Sequence, residues 1–477
     1  MSHAPPEVSP APPAVVAPRR WWALAVLAVA QMMIALDATV MTVALPSAQA
    51  GLGFPDAERH WVITAYTAAF GGLLLLGGRV GDHLGRARTF RLGLAGFAGT
   101  SALGARAPDL TLLAVARGAQ GACAALLAPT VLALLATTFT EPRERGRAFA
   151  VFGAIAGGGG AVGLVLGGVL TETVGWRGCL LAAVPIALLA GLGARVLPVP
   201  DGSGDGRRWD VAGAVLVTGG LVAVLGACSQ AVLRSWSSPV TLALLAGGAV
   251  LLAAFVVRER RTSHPLLPLR ILADRDVAGA CLAVALAMAG MLGAFLVLTY
   301  VLQVVLGFAP LAAGIAFLPL SAALFASAQV VGRVMAGVAP RTLIVPGLLV
   351  AAAGMLLLTR LSPADGYLTA VLPAEILLGV GMGAVMTPAV SLATSRARPR
   401  DAGVTAAVVS ASQQVGGAVG VSVLNTVAAA ATLGAGVAAL SRGAAAAAAG
   451  GAVALIAAAV VTAVLVTAGP PRHGGTS

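Results

Sequence analysis

The sequence predicts an all-α polytopic membrane protein with fourteen transmembrane helices, built as two pseudo-repeated six-helix halves plus two inserted helices. Three observations carry this. Apolar residues fill 58% of the 477 positions and charged residues only 10%, where a soluble domain is roughly a quarter charged. Apolar blocks long enough to span a bilayer, about 20 residues each, recur from end to end. Gly78-Arg79-Val80 after the second block returns as Gly332-Arg333-Val334 after the tenth, 254 residues on, an internal repetition of the kind transporters show.

The blocks run over 22–46, 60–80, 89–107, 111–138, 147–170, 177–197, 210–233, 239–257, 277–301, 310–334, 341–360, 367–393, 402–430 and 447–469. Residues 1–21, rich in Pro and Ala, read as a disordered cytoplasmic segment. No short apolar stretch with a cleavage site follows, so the first block stays as a helix. The first half covers 22–197 and a polar cytoplasmic linker fills 198–209. The extra pair occupies 210–257, a loop 258–276 leads into the second half at 277–469, and 470–477 form a tail. The fourth block carries Arg117, Gly121 and Pro129, and the twelfth carries Glu375, Gly379 and Pro388 at nearly matching spacings.

All 30 basic residues are arginine. Alternating fourteen blocks across a membrane puts 23 of them on the side of both termini. Six lie opposite: Arg59, Arg106, Arg177, Arg234, Arg360 and Arg442. Basic residues are retained on the inner face, so both termini are expected in the cytoplasm, with the chain in the inner (cytoplasmic) membrane. The net charge of +12 therefore reports orientation. It forms no aromatic-interleaved basic stripe, which excludes a nucleic-acid binder. Without any Lys there is no G-x-x-x-x-G-K-[ST] loop, so ATP is not the direct energy source. The four cysteines lack metal-ligand spacing and read as packing residues. The five histidines lie at termini or helix ends, and no metal, cofactor or catalytic triad is expected.

An ionisable residue inside a span costs about 2.5 to 3.5 kcal/mol on insertion scales, so each one is a functional candidate. Three qualify: Asp37, Arg117 and Glu375. At 1.5 Å per residue they lie roughly 9 to 14 Å from the outer ends of their blocks, so all three are expected to face one cavity as a proton relay. Burial raises a carboxyl pKa and a nearby arginine lowers it, so alternate exposure to the two sides lets one carboxyl load and release a proton. A static ion pair joining the first and fourth blocks is the competing reading for Asp37 and Arg117. Glu375 has three open roles: holding a cationic substrate, carrying a proton, or pairing with a polar neighbour.

The turn between the second and third blocks runs Gly78-Arg79-Val80-Gly81-Asp82-His83-Leu84-Gly85-Arg86-Ala87-Arg88. No strand precedes it and no βαβ unit follows, which excludes a dinucleotide site. Asp82 and Arg86 can pair with each other or with a helix end. Gln31, Thr39, Tyr66, Gln120, Tyr300, Gln303, Ser412 and Gln413 are candidates for the cavity wall, although such residues also join helices. Aromatic residues make up only 4% of the chain, which favours an aliphatic cavity with a few polar anchors. Gly159, Gly163, Gly167 and Gly168 read as a close-packing stripe.

These motifs, in this order, resemble the fourteen-helix drug:proton antiporter branch of the major facilitator superfamily over nearly the whole chain. They are LDATVMTVALP (Leu36 to Pro46), WVITAY (Trp61 to Tyr66), the Gly78–Arg88 turn, Arg117 with Gln120 and Gly121, and GAVGLVLGG (Gly160 to Gly168). Trp176-Arg177, PLLPLRI (Pro265 to Ile271), YVLQVVLG (Tyr300 to Gly307) and the Asp401–Gly420 stretch with Gln413, Gln414, Gly416 and Gly417 complete them. The resemblance implies that the Gly78–Arg88 turn gates the cytoplasmic side, with Gly78, Arg79, Gly81, Asp82, Gly85 and Arg86 as its parts. One departure stands in the fifth block, where Leu164 replaces the branch's usual proline and removes a cause of bending.

The expected function is proton-coupled export of hydrophobic or cationic drugs by alternating access. Its partners would be protons, the substrate and the lipid bilayer. Export of a single endogenous metabolite or self-made antibiotic keeps the same fold. An uncoupled membrane sensor or assembly partner is the reading from another class.

Overall fold

The computed structural model describes residues 17–54, 61–197, 210–262, 265–308, 310–360, 366–398, 401–432 and 437–469. No strand occurs among them. The first group of helices is α1 (Ala17–Leu52), α2 (Trp61–Leu84), α3 (Arg86–Ala105), α4 (Leu110–Thr138), α5 (Pro142–Thr173), α6 (Trp176–Leu181) and α7 (Ala183–Gly193). Then come α8 (Val211–Leu233), α9 (Pro239–Arg261) and the short α10 (Arg270–Ala273). The last group is α11 (Arg275–Tyr300), α12 (Pro310–Ala316), α13 (Leu318–Val334), α14 (Pro340–Leu358), α15 (Leu372–Ser395), α16 (Ala402–Ala431) and α17 (Val437–Leu465). Twelve helices among the described residues are long and apolar enough to cross a membrane. The 198–209 linker and the 470–477 tail lie outside the described residues.

Local chemistry sets the helix ends. Asp109 caps α4 by accepting from the Leu112 N–H at 2.8 Å, and Asp210 caps α8 through Gly213 at 2.8 Å, each satisfying an orphan first-turn donor. Gly85, at φ 87°, turns the chain from α2 into α3, a backbone that a side chain would strain. The first helix begins at Ala17, five residues before the expected block, so Arg19 and Arg20 belong to its first turn. It also ends later, at Leu52. Helix α5 continues through Leu164 without a break.

Two bundles pack on one another. In the first, α2 and α3 lie on α4, α1 lies on α5, and α7 lies on α3. In the second, α13 and α14 lie on α15, α11 lies on α16, and α17 lies on α14, so the pairings repeat in order. Across the seam α5 runs along α12 and α13, while α2 and α4 meet α16. Two glycine pairs set the closest approaches at the Gly78 end. A Cβ on Gly78 would stand 2.6 Å from the Gly403 carbonyl oxygen, and one on Gly332 would stand 2.6 Å from that of Gly146.

Helix α8 packs on α9 and touches both bundles. The Thr64 and Ser229 hydroxyls are 3.1 Å apart between α2 and α8. The Ser422 hydroxyl of α16 donates to the Cys228 carbonyl of α8 at 2.7 Å. The loop after α9 is held as well: Glu259 accepts from the Leu266 and Leu267 N–H groups at 3.1 and 3.2 Å.

Of the glycine stripe on α5, three members face α1. Gly159 lies against Ala35, Gly163 against Thr39 and Gly167 against Val40. Gly168 does not belong to that contact; a Cβ there would meet nothing within 4 Å. One residue on from Gly167 is a rotation of about 100°, so Gly168 looks away.

Candidate functional site

Four helices deliver side chains to one buried polar cluster. Asp37 comes from α1, Tyr66 from α2, Ser101 from α3, and Arg117 with Gln120 from consecutive turns of α4, a spacing that puts both on one face. Arg117 Nη1 donates to Asp37 Oδ2 at 2.7 Å and to Gln120 Oε1 at 2.7 Å. Gln120 Nε2 donates to Asp37 Oδ1 at 2.7 Å and to Ser101 Oγ at 2.8 Å. Arg117 Nε reaches the Val62 carbonyl at 3.3 Å, and its guanidinium lies 4.4 Å over the Tyr66 ring. Asp37 is 6% exposed and Arg117 2%. Both carboxylate oxygens and the charged fork are thus bonded, which is what a buried ion pair needs. The Tyr66 hydroxyl is buried with no hydrogen-bond partner.

Gln120 is therefore a ligand of Asp37 rather than a free cavity anchor. Ser101 escaped the sequence reading, because one hydroxyl in an apolar helix looks like any other. Its only available signal was its place on the helix preceding Arg117 and Gln120.

Glu375 does not join this cluster. It stands on the first turn of α15, 0% exposed, and its Oε2 is 3.1 Å from the Tyr367 hydroxyl. Similar depth along separate helices does not bring side chains together; Asp37 and Arg117 belong to the first bundle and Glu375 to the second. The single three-residue relay expected from depth is replaced by two separate buried sites.

The Gly78–Arg88 turn is pinned from the other bundle. Asp82 Oδ1 accepts from Arg86 Nη2 at 3.1 Å and from the Gly403 N–H at 3.2 Å. Gly403 lies in the first turn of α16, where unsatisfied N–H groups favour an anion. Arg79 Nη2 donates to the Pro265 carbonyl at 2.9 Å, and Gly81 leaves room for the Thr130 hydroxyl. On the facing pair, Arg145 Nη2 of α5 donates to Thr394 Oγ1 of α15 at 2.9 Å.

The remaining cavity candidates are scattered. Thr39 and Ser412 donate to carbonyls of their own helices, at 3.1 Å to Leu36 and 2.9 Å to Val408. Gln31 keeps a buried amide oxygen without a partner. Gln413 is half-buried, and Tyr300 and Gln303 are exposed.

Residues 27–421 match the family described as Major Facilitator Superfamily, and the chain belongs to it. It is a multi-pass membrane transporter, not an enzyme. The chain is 52% identical over 418 residues to the puromycin resistance protein pur8 of Streptomyces alboniger, covering 87% of this chain and 83% of that one. It is 40% identical over 416 residues to the cephamycin export protein CmcT of Amycolatopsis lactamdurans, covering 86% of each. These likenesses belong to the drug-efflux branch of the family. Among solved structures, the human organic anion transporter MFSD10 (TETRAN) superposes with a TM-score of 0.64 at 17% identity, covering 93% of this chain and 99% of that one. That likeness concerns the fold alone.

Proposed function

We propose that this protein exports hydrophobic or cationic antibiotics across the cytoplasmic membrane in exchange for protons, by alternating access. The observation that carries the reading is the buried Asp37–Arg117–Gln120 cluster. A carboxylate held by an arginine inside an apolar bundle changes its interactions when it takes a proton. Protonated Asp37 releases Arg117, and the released guanidinium favours a different packing of α1 on α4. Coupling then needs only that proton and drug prefer opposite conformations. The 52% identity to a puromycin resistance protein and the 40% identity to a cephamycin exporter support antibiotics as cargo.

In this reading α3 and α5 join the twelve apolar spans to make fourteen, α8 and α9 are the inserted pair, and both termini are cytoplasmic. Gly78, Arg79, Gly81, Asp82, Gly85 and Arg86 then form the cytoplasmic latch. Its contacts with α16 support a conformation closed on that side.

The test is antibiotic uptake into inverted membrane vesicles under an imposed pH gradient, with puromycin first in the panel. Gradient-driven uptake by the wild type and its loss in Asp37→Asn are expected. Uptake that ignores the gradient, or survives Asp37→Asn unchanged, overturns the reading.

A further inference from the structure

The Tyr367 hydroxyl has two partners and one proton. It lies 2.8 Å from the Ala316 carbonyl oxygen and 3.1 Å from Glu375 Oε2. A carbonyl oxygen only accepts, so the shorter contact takes the tyrosine's proton. The second contact becomes a full hydrogen bond when Glu375 supplies the proton, whereas a carboxylate there would have to share the tyrosine's single O–H with Ala316.

The surroundings agree. Glu375 is fully buried, and its Oε1 has no partner. Tyr367 is the one titratable group bonded to it among the described residues. The ionisable side chains on the helices packed against α15 stand elsewhere. Arg143, Glu144, Arg145 and Arg147 of α5, Arg333 of α13, Arg341 of α14, and Arg275, Asp276 and Cys281 of α11 belong to the Gly78 end of the bundle. Asp401 precedes α16 at that same end. Arg117 of α4 is held by Asp37. At the Glu375 end, Glu172, Tyr300 and Arg360 are exposed. A buried carboxylate with no cation and one shared donor is far costlier than the neutral acid.

Ala316 makes this arrangement conditional. It is the last residue of α12; at Phe317 the regular helix is interrupted by a tighter turn, the Phe317 N–H donating to the Gly314 carbonyl at 3.3 Å, before α13 starts with Leu318 and Pro319. Its carbonyl is therefore one of the orphan acceptors of a helix end. The natural helical donor to it is the Leu320 N–H, four residues on, an orphan of the first turn of α13. Straightening the break joins these two and frees the tyrosine's proton. Helix α12 also packs across the seam on α5, where Gly314 faces Val165, so movement of the first bundle reaches the break.

We infer that Glu375, Tyr367 and the α12–α13 break form a second proton site, independent of Asp37, in which helix geometry decides whether Glu375 keeps its proton. With the break open, Glu375 Oε2–H donates to Tyr367 and Tyr367 donates to Ala316. When the break closes, Tyr367 turns its O–H to Glu375. The Glu375 O–H bond then breaks, its proton leaves to a cavity water, and the carboxylate accepts from Tyr367. Tyr367 is a positioning residue that keeps its own proton throughout. The coupling role rests on the antiport reading above; the protonation state does not.

The test uses the full-length protein in proteoliposomes, and its first arm is infrared spectroscopy as a function of pH. A protonated-carboxyl C=O band at neutral pH is expected in wild type and in Asp37→Asn, and is lost in Glu375→Gln. In Tyr367→Phe the band shifts in frequency and survives to higher pH, because the anion has lost its donor. The second arm is proton-to-drug stoichiometry, where Glu375→Gln is expected to lose one proton per drug while Asp37→Asn loses gradient-driven transport altogether. Absence of a Glu375 band at neutral pH, or a band indifferent to Tyr367→Phe, overturns the site. If wild-type transport ignores the gradient while the band behaves as described, the antiport reading fails and the proton site stands.

Discussion

Gly146 of α5 and Gly332 of α13 face each other across the seam so closely that each occupies the place of the other's missing Cβ. Gly78 and Gly403 make the matching approach between α2 and α16. Both contacts bring backbone against backbone, and the Asp82–Gly403 and Arg145–Thr394 hydrogen bonds flank them.

Gly146→Leu should therefore prop the Gly78 end apart. Overpacking costs about 1–3 kcal/mol, which moves a two-state equilibrium about 5- to 150-fold. With the four native cysteines replaced by alanine, a cysteine placed at Ser391, buried at this end of α15, should react faster with a membrane-impermeant thiol reagent in the Gly146→Leu background. Unchanged reactivity would show that this contact does not hold the end shut.

Asp82 offers one carboxylate to Arg86 and to the first turn of α16. Asp82→Asn keeps an acceptor there and removes the charge that the helix end favours, a loss of about 0.3–1 kcal/mol. Transport should fall about two- to fivefold, and Asp82→Ala should fall further. Equal effects of the two would mean that charge, not the hydrogen bond, is what matters.

Arg117→Lys keeps the charge and loses the planar fork that serves Asp37, Gln120 and the Val62 carbonyl together. The two side chains are not interchangeable at such a site, and gradient-driven uptake should be abolished. Arg117→Leu should destabilise the protein by about 3–5 kcal/mol near neutral pH, the cost of stranding a buried charge. Thermal unfolding in detergent measures it, and an Arg117→Leu protein as stable as wild type would show that the pair does not hold α1 to α4.

Ser101→Ala removes one acceptor from Gln120 and leaves its bond to Asp37. The change is worth about 0.5–1.5 kcal/mol and should loosen Asp37 without removing it. A displaced pH profile of transport at near-normal maximal rate is the expected signature. An unmoved profile would make Ser101 a packing residue.

Much of this was legible in the sequence because the membrane makes it so. An ionisable group in an apolar span is conspicuous, and Asp37 and Arg117 stood out and do meet. Asp82 was readable as a partner for Arg86 or a helix end, and it touches both. Ser101 and Tyr367 were invisible, since a neutral hydroxyl gains meaning only from what faces it. Depth alone groups Glu375 with Asp37, and depth says nothing about rotation around the bundle. The α12–α13 break is equally hidden: the chain has 27 prolines, and only the fold shows that the Ala316 carbonyl faces Tyr367.

Seen along the membrane plane, the seam has two unequal flanks. On one, α5 meets α12 and α13 directly over their length. On the other, α8 is fastened to α2 through Ser229 and to α16 through the Cys228 carbonyl. In the alternating-access cycle proposed above, parting α2 from α16 would have to break one of these two hydrogen bonds, which gives α8 the part of a clasp on that flank.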